Sequence, residues 1–182
     1  MIRRGKERMN FPKIQNDQTK PEIVASVRAH LEAQGLTIAE IDATRPWGAF
    51  LRIVNAQADA FVAAYYDELK TPAEARRGER SPKILLVAPH QRLSWQYHKR
   101  RAEVWRAVQC TVGVACSATD EPPQTITPLR AGEEIELACG VRHRLVGLDE
   151  WGVVAEIWIH TDPQNLSDEN DIVRLQDDYA RN

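Results

Sequence analysis

From Ser81 to His160 the chain is a succession of short β-prone segments, and this most narrows what it can fold into. KILLVA (83–88), RLSWQYH (92–98), EVWRAVQCTVGVAC (103–116), QTITPL (124–129), EEIELA (133–138), HRLVGL (143–148) and WGVVAEIWIH (151–160) follow one another closely. Only Pro, Gly, Asp or charged turns separate them. Many closely spaced strands of this kind pair with one another and close into a sandwich or barrel. The expected fold is therefore an all-β core.

The segment before it reads differently. Thr19 and Glu22 have capping-box spacing, and Pro21 suits a first helical turn. Ile23, Val24, Val27 and Leu31 then recur at helical spacing, and Gly35 can end the helix. His30 lies in this helix, where a packing or surface role is expected. TRPWGAFLRIV (44–54) is punctuated by Pro46 and Gly48 and runs into an apolar β-prone stretch. A second helix is expected over about 56–69, with Phe61, Val62, Tyr65 and Leu69 as its stripe. Residues 71–80 read as a charged, solvated loop. Three parts result: a flexible terminus over 1–18, a helical extension over 19–44, and a β-rich domain over 45–182. The tail after Ser167 carries an N-cap signal and acidic residues, and is expected to close as a short helix.

A length of 182 residues fits one ordinary domain with a decoration. Net charge is −2, which gives no general pull toward nucleic acid or anionic membrane. No apolar run approaches the ~20 residues of a membrane helix. MIRRGKERMN is basic, but no apolar stretch follows it, so no signal peptide is read and a cytoplasmic location is expected. Met9 is an alternative start. Cys110, Cys116 and Cys139 have no C-x-x-C spacing and read as buried thiols.

The chemistry concentrates in RLSWQYHKRRAEVW. Side chains alternate across a strand, so Ser94, Gln96 and His98 share one face. Glu103 starts the next strand after a tight turn and can return to face His98. Trp105 and Ala107 continue that inward row. Downstream, AGEEIELACGVRHRL supplies His143 after a turn at Gly140. Two imidazoles, a carboxylate and an amide oxygen can hold one divalent first-row metal. Imidazole and carboxylate suit Zn, Fe, Mn, Co or Ni alike, so the donor types leave the ion open, with zinc as the first choice to test. A lone Q-x-H would say little, because a strand histidine usually serves as a core or surface group. The pattern Q-x-H-x4-E, then about forty residues, then G-x-x-H is far more selective.

The same residues carry a family resemblance. RPWG (45–48), KILLVAP (83–89), LSWQYHKRRAEVW (93–105), GVRHRLVG (140–147), AEIW (155–158) and DIVRLQDDYAR (171–181) resemble type II mannose-6-phosphate isomerases. That family includes the domain fused to mannose-1-phosphate guanylyltransferases. The resemblance spans 45–182 and implies a cupin, or double-stranded β-helix (jelly-roll), barrel with an N-terminal helical extension. It also places the metal ligands on Gln96, His98, Glu103 and His143. There are departures. Lys99 and Arg100 stand where the family has histidines, Cys110 replaces a glycine, Ala138 a proline and Gly147 an asparagine. The 160–170 segment lacks the family's glycine-containing linker.

The resemblance implies aldose–ketose isomerisation of a sugar phosphate, with mannose 6-phosphate and fructose 6-phosphate as the family pair. Glu156, expected beside the strand of His143, is the candidate acid/base, or else a group that hydrogen-bonds the ligands. Lys83 is a second candidate, or a solvated strand-end lysine. Arg174 suits phosphate bidentately, or pairs with Asp171 or Asp178. Arg45 and Trp47 line the mouth, or fold the N-terminal strand onto the barrel. The expected partner is a small sugar phosphate, with a homodimer as the oligomer to test for and no nucleic acid or membrane. The alternatives are a non-catalytic sugar- or metal-binding cupin and a non-haem-iron cupin oxygenase.

Overall fold

The computed structural model describes residues 2–4, 11–66, 69 and 78–179. Twelve strands and two α-helices make it up: β1 (Ile2–Arg4), α1 (Lys20–Ala33), β2 (Ile38–Asp42), β3 (Gly48–Ile53), α2 (Ala58–Tyr65), β4 (Lys83–Val87), β5 (Trp95–Tyr97), β6 (Arg101–Gln109), β7 (Val112–Ser117), β8 (Thr127–Leu129), β9 (Glu133–Leu137), β10 (Arg142–Gly147), β11 (Gly152–His160) and β12 (Val173–Gln176). They form two antiparallel sheets. One has seven strands in the order β1-β9-β6-β11-β4-β3-β2, the other five in the order β12-β5-β10-β7-β8.

The central strands β4 and β11 of the seven-stranded sheet are buried on both faces, which is why KILLV and GVVAEIWIH show no polar alternation. Ile84, Leu86, Val153, Ala155 and Ile157 face a cluster shared with Ile23, Val27 and Leu31 of α1 and Phe61 and Tyr65 of α2. Leu85, Val87 and Val154 point the other way, into a core with Val114 and Leu145 of the smaller sheet. The two-residue period then fixes Lys83, Glu156 and Trp158 on the interior face.

Several expectations change. The tail after Ser167 is not helical: the Ser167 hydroxyl donates to Asp171 at 2.8 Å, and Val173–Gln176 pairs with β5. Ile38–Asp42, within the expected helical extension, is an edge strand paired with β3. Ile2–Arg4 pairs with β9, Ile14 is buried, and Phe11 meets the His30 ring edge-on at 4.7 Å. The second helix ends at Tyr65, Tyr66 being extended. Residues 67, 68 and 71–77 of that helix and loop lie outside the described residues, as do Met9 and most of 1–10. Arg80 is not solvated but buried, paired with Asp59 at 2.6 Å. The cysteines are free and half-buried rather than buried. Among the described residues no helix is long and apolar enough to cross a membrane.

Two departures from the family pattern have backbone reasons. Cys110 replaces a glycine yet keeps a left-handed backbone, φ 60°, in the β6–β7 turn. At Gly147 a Cβ would come within 2.0 Å of the Ala88 carbonyl oxygen, so only glycine fits.

Candidate metal centre and its cavity

One row of the smaller sheet brings together residues from four strands. Cys116 lies opposite His143, His143 opposite Gln96, and Gln96 opposite Arg174. Glu103 comes from the facing sheet. The turn at Lys99 and Arg100 that returns the chain to it is clamped by Asp171, whose carboxylate accepts both backbone N–H groups at 3.0 and 2.9 Å. These bonds use backbone N–H groups, and of the two side chains replacing the family's histidines it is Arg100 that reaches the C-terminal segment, donating to the Leu166 carbonyl at 2.6 Å. Arg100 also pairs with Asp168 at 3.1 Å.

The ligand atoms of His98, Glu103 and His143 lie within 4.8 Å of one another, and all three residues are buried. His98 Nε2 is 3.0 Å from Glu103 Oε1, and His143 Nε2 is 3.5 Å from Glu103 Oε2. Each imidazole has its other nitrogen against a backbone carbonyl: His98 Nδ1 against Asp171, and His143 Nδ1 against Val141 at 2.9 Å. A carbonyl only accepts, so each Nδ1 carries a proton and each Nε2 is the nitrogen turned toward Glu103. This is how metal-binding histidines are usually oriented. Glu103 Oε2 and His143 Nε2 are buried without another hydrogen-bond partner. A buried unsatisfied pair is costly unless something fills it, so the buried group suits a divalent cation. Gln96 lines the same cavity as Glu103, and its Oε1 accepts from the Ser94 hydroxyl at 2.6 Å.

Arg101 is a site residue that the sequence reading did not name, although the two-residue period of β6 puts it on the face of Glu103. It is buried, with Nε 3.1 Å from Glu103 Oε1 and Nη2 3.4 Å from His98 Nε2. Nη1 donates to the Ser167 hydroxyl and the Asp168 carbonyl, each at 2.9 Å. The guanidinium lies over Trp158 at 3.7 Å. Its position beside two candidate ligands was the available signal, but its hydroxyl and carbonyl partners lie more than sixty residues away. Burial pushes the Glu103 carboxyl up, but His98, His143 and Arg101 outweigh this and hold it well below the usual carboxylate range.

The cavity beside the triad has a volume of about 330 Å³. Lys83, Glu156, Arg45, Arg174, Trp47 and Phe50 are among its lining residues. Glu156 is not beside the strand of His143: β11 runs between β4 and β6 in the larger sheet, whereas β10 is in the smaller one. Glu156 reaches the interior because it is in register with Trp105 on one side and Lys83 on the other. Its Oε2 accepts from Trp105 Nε1 at 3.1 Å, and its Oε1 is 3.9 Å from Lys83 Nζ. Burial, then the Glu103 charge, push its carboxyl up to about 7 against the opposing pull of Lys83, Arg101 and His98. Lys83 is buried rather than solvated. Arg45 is paired with Asp42 at 2.6 Å and lies over Phe50, and Arg174 is exposed at the rim. Asp171 clamps the turn and Asp178 pairs with Arg92 at 2.5 Å.

Among curated proteins none matches the chain in sequence. In structure, the chain is similar to the capsular polysaccharide assembling protein CapF of Staphylococcus aureus. Identity is 15%, the TM-score is 0.48, and 78% of this chain and 34% of CapF are covered. The chain thus spans about a third of CapF. It is also similar to a cupin-superfamily sugar phosphate isomerase of Silicibacter pomeroyi, at 14% identity and a TM-score of 0.43, covering 62% of this chain and 59% of that one. Tomato vicilin is similar at 16% identity and a TM-score of 0.49, covering 74% and 35%. A family model described as "Mannose-6-phosphate isomerase C-terminal" matches residues 74–177, more than half of the chain. The chain therefore belongs to that family of cupin-fold, sugar-phosphate-isomerase-like proteins.

Proposed function

We propose that this protein is a metal-dependent isomerase that interconverts an aldose phosphate and its ketose. One observation carries the reading: the buried His98–Glu103–His143 group and the buried Glu156–Lys83 pair belong to one interior, with Glu103, Glu156 and Lys83 lining a single cavity. Isomerisation needs a base for the proton beside the carbonyl, positive charge for the oxyanion that forms, and cations for the phosphate.

Gln96, His98, Glu103 and His143 are the proposed ligands of a divalent ion, zinc being the first choice. When bound, such an ion polarises the sugar oxygens and offsets the negative charge that develops on them. Glu156 is the proposed base. A carboxyl held near neutrality both accepts and returns a proton at working pH. Lys83 is proposed as its cationic partner, with three N–H donors to divide between Glu156 and substrate. Trp105, which donates to Glu156 Oε2, fixes the carboxylate plane. Arg45 and Arg174 are proposed as rim cations that draw an anionic sugar inward.

The test is turnover by metal-reconstituted protein across a panel of hexose and heptose phosphates, starting with mannose 6-phosphate and fructose 6-phosphate. Isomerisation of at least one member is expected, and its loss in His98→Ala together with the metal. Full metal binding with no turnover of any member overturns the reading in favour of a binding module. Oxygen consumption restored by Fe²⁺ alone overturns it in favour of an oxygenase.

A further inference from the structure

Two hydrogen-bond donors at the entrance to β4, Ser81 just before the strand and Lys83 its first residue, converge on a single anionic oxygen supplied by the protein itself. Ser81 Oγ and Lys83 Nζ lie 3.2 and 3.1 Å from Oε1 of Glu169, which belongs to the connection between β11 and β12. The two donors are built in, and the acceptor is not. Ser81 is fully buried and held at φ 44°, a left-handed conformation that a residue with a Cβ disfavours. Its N–H is fixed by Glu79 Oε1 at 2.8 Å. Lys83 is buried, with its ammonium 4.6 Å from the Trp158 ring centre and 5.8 Å from that of Phe50. Glu156 stands 3.9 Å away on its other side. The Glu169 side chain, by contrast, is 60% exposed, so it can turn out into solvent without disturbing either donor.

We propose that Ser81 and Lys83 form the subsite for the phosphate group of the substrate, and that the Glu169 carboxylate is a resident anion which that phosphate displaces. This rests on the sugar-phosphate reading above and says where the phosphate sits. A phosphate offers several acceptor oxygens to a serine hydroxyl and a lysine point charge, where the carboxylate offers two. Arg45 and Arg174 at the rim then guide the anion rather than hold it. The same ammonium that holds the phosphate stays beside Glu156, so a substrate anchored at Lys83 lies next to the proposed base.

The experiment is calorimetric titration of the full chain with inorganic phosphate. A competitor that holds a subsite about nine-tenths of the time weakens apparent affinity about tenfold. Glu169→Gln should therefore tighten phosphate binding about tenfold. Glu40→Gln removes the same charge from another cavity carboxylate, one paired with Arg52 at 3.0 Å, and should change affinity less than about twofold. Adding Ser81→Gly, which keeps the left-handed backbone, to Glu169→Gln should return most of the gain. Equal affinity in wild type and Glu169→Gln overturns the subsite. So does an equal gain in Glu40→Gln, or a gain that survives Ser81→Gly undiminished. Turnover is read separately. The expected phosphate pattern without turnover keeps the subsite and defeats the isomerase reading, and turnover without the pattern does the reverse.

Discussion

Replacing Glu156 with Gln should remove activity and, above neutral pH, leave the fold more stable. The side chain is buried, with Trp105 Nε1 at 3.1 Å as its hydrogen bond and Lys83 Nζ at 3.9 Å. Burial comes first among the causes that lift its carboxyl from 4.5 to about 7, with the Glu103 charge adding to it. A folded value above the unfolded one means that stability is fully present below pH 4.5 and declines as pH rises. Between 4.5 and about 7 the unfolded chain has released a proton that the folded chain still holds. The gap corresponds to about 3 kcal/mol, reached once pH exceeds the folded value. The amide introduced by Glu156→Gln does not titrate, and its oxygen can still accept from Trp105. The assay is urea unfolding of chelator-treated wild type and variant at pH 4.5, 6 and 8, followed by tryptophan fluorescence. The difference between the two proteins cancels the slopes of carboxylates they share. It should move in the variant's favour by up to about 3 kcal/mol between pH 4.5 and 8. Parallel curves would falsify the placement of a strained carboxylate here. At pH 8 the variant should retain its metal while kcat falls ~10²-fold or more, as for a lost general base. Full activity would remove Glu156 from the proposed proton transfer.

Three further outcomes test the frame around that residue. His143→Ala should reduce bound metal from about one equivalent per chain to a small fraction, measured by elemental analysis after dialysis. Undiminished metal content would exclude the His98–Glu103–His143 group. Arg101→Ala leaves Glu103 with one cation fewer in a buried setting, and should cost about 3–5 kcal/mol in chemical denaturation. A cost below about 1 kcal/mol would mean that the guanidinium is not part of the buried charge network. Gly48→Ala would drive a Cβ to 1.8 Å from the Leu86 carbonyl oxygen at φ +150°. It should lower thermal stability by several kcal/mol, among the large values reserved for strain at special backbone positions. A melting temperature unchanged from wild type would contradict the close packing of β3 on β4.

The strand period was enough to put Gln96 and His98 on one face and to bring Glu103 back beside them, because alternation across a strand is a local property of the chain. The same period, with Gly35 and the Thr19–Glu22 spacing, located α1. What local pattern cannot express is which strand neighbours which. Glu156 was legible as an interior carboxylate, but its partners Trp105 and Lys83 follow from β11 lying between β6 and β4, and not beside β10. The tail read as a helix because Ser167 and its acidic neighbours resemble an N-cap. In the fold the Ser167 hydroxyl serves Asp171, and its N–H donates to His160 Nδ1 at 3.0 Å. Asp171 and Glu169 entered the site only through contacts that close loops of roughly seventy to ninety residues. The sequence alone determined the donor types and the face they occupy, since both depend on residue identity and on a two-residue repeat. Tertiary structure decided the orientation of each imidazole, the charge around Glu156 and the resident carboxylate at Lys83, since these depend on backbone carbonyls and side chains delivered from the distant end of the chain.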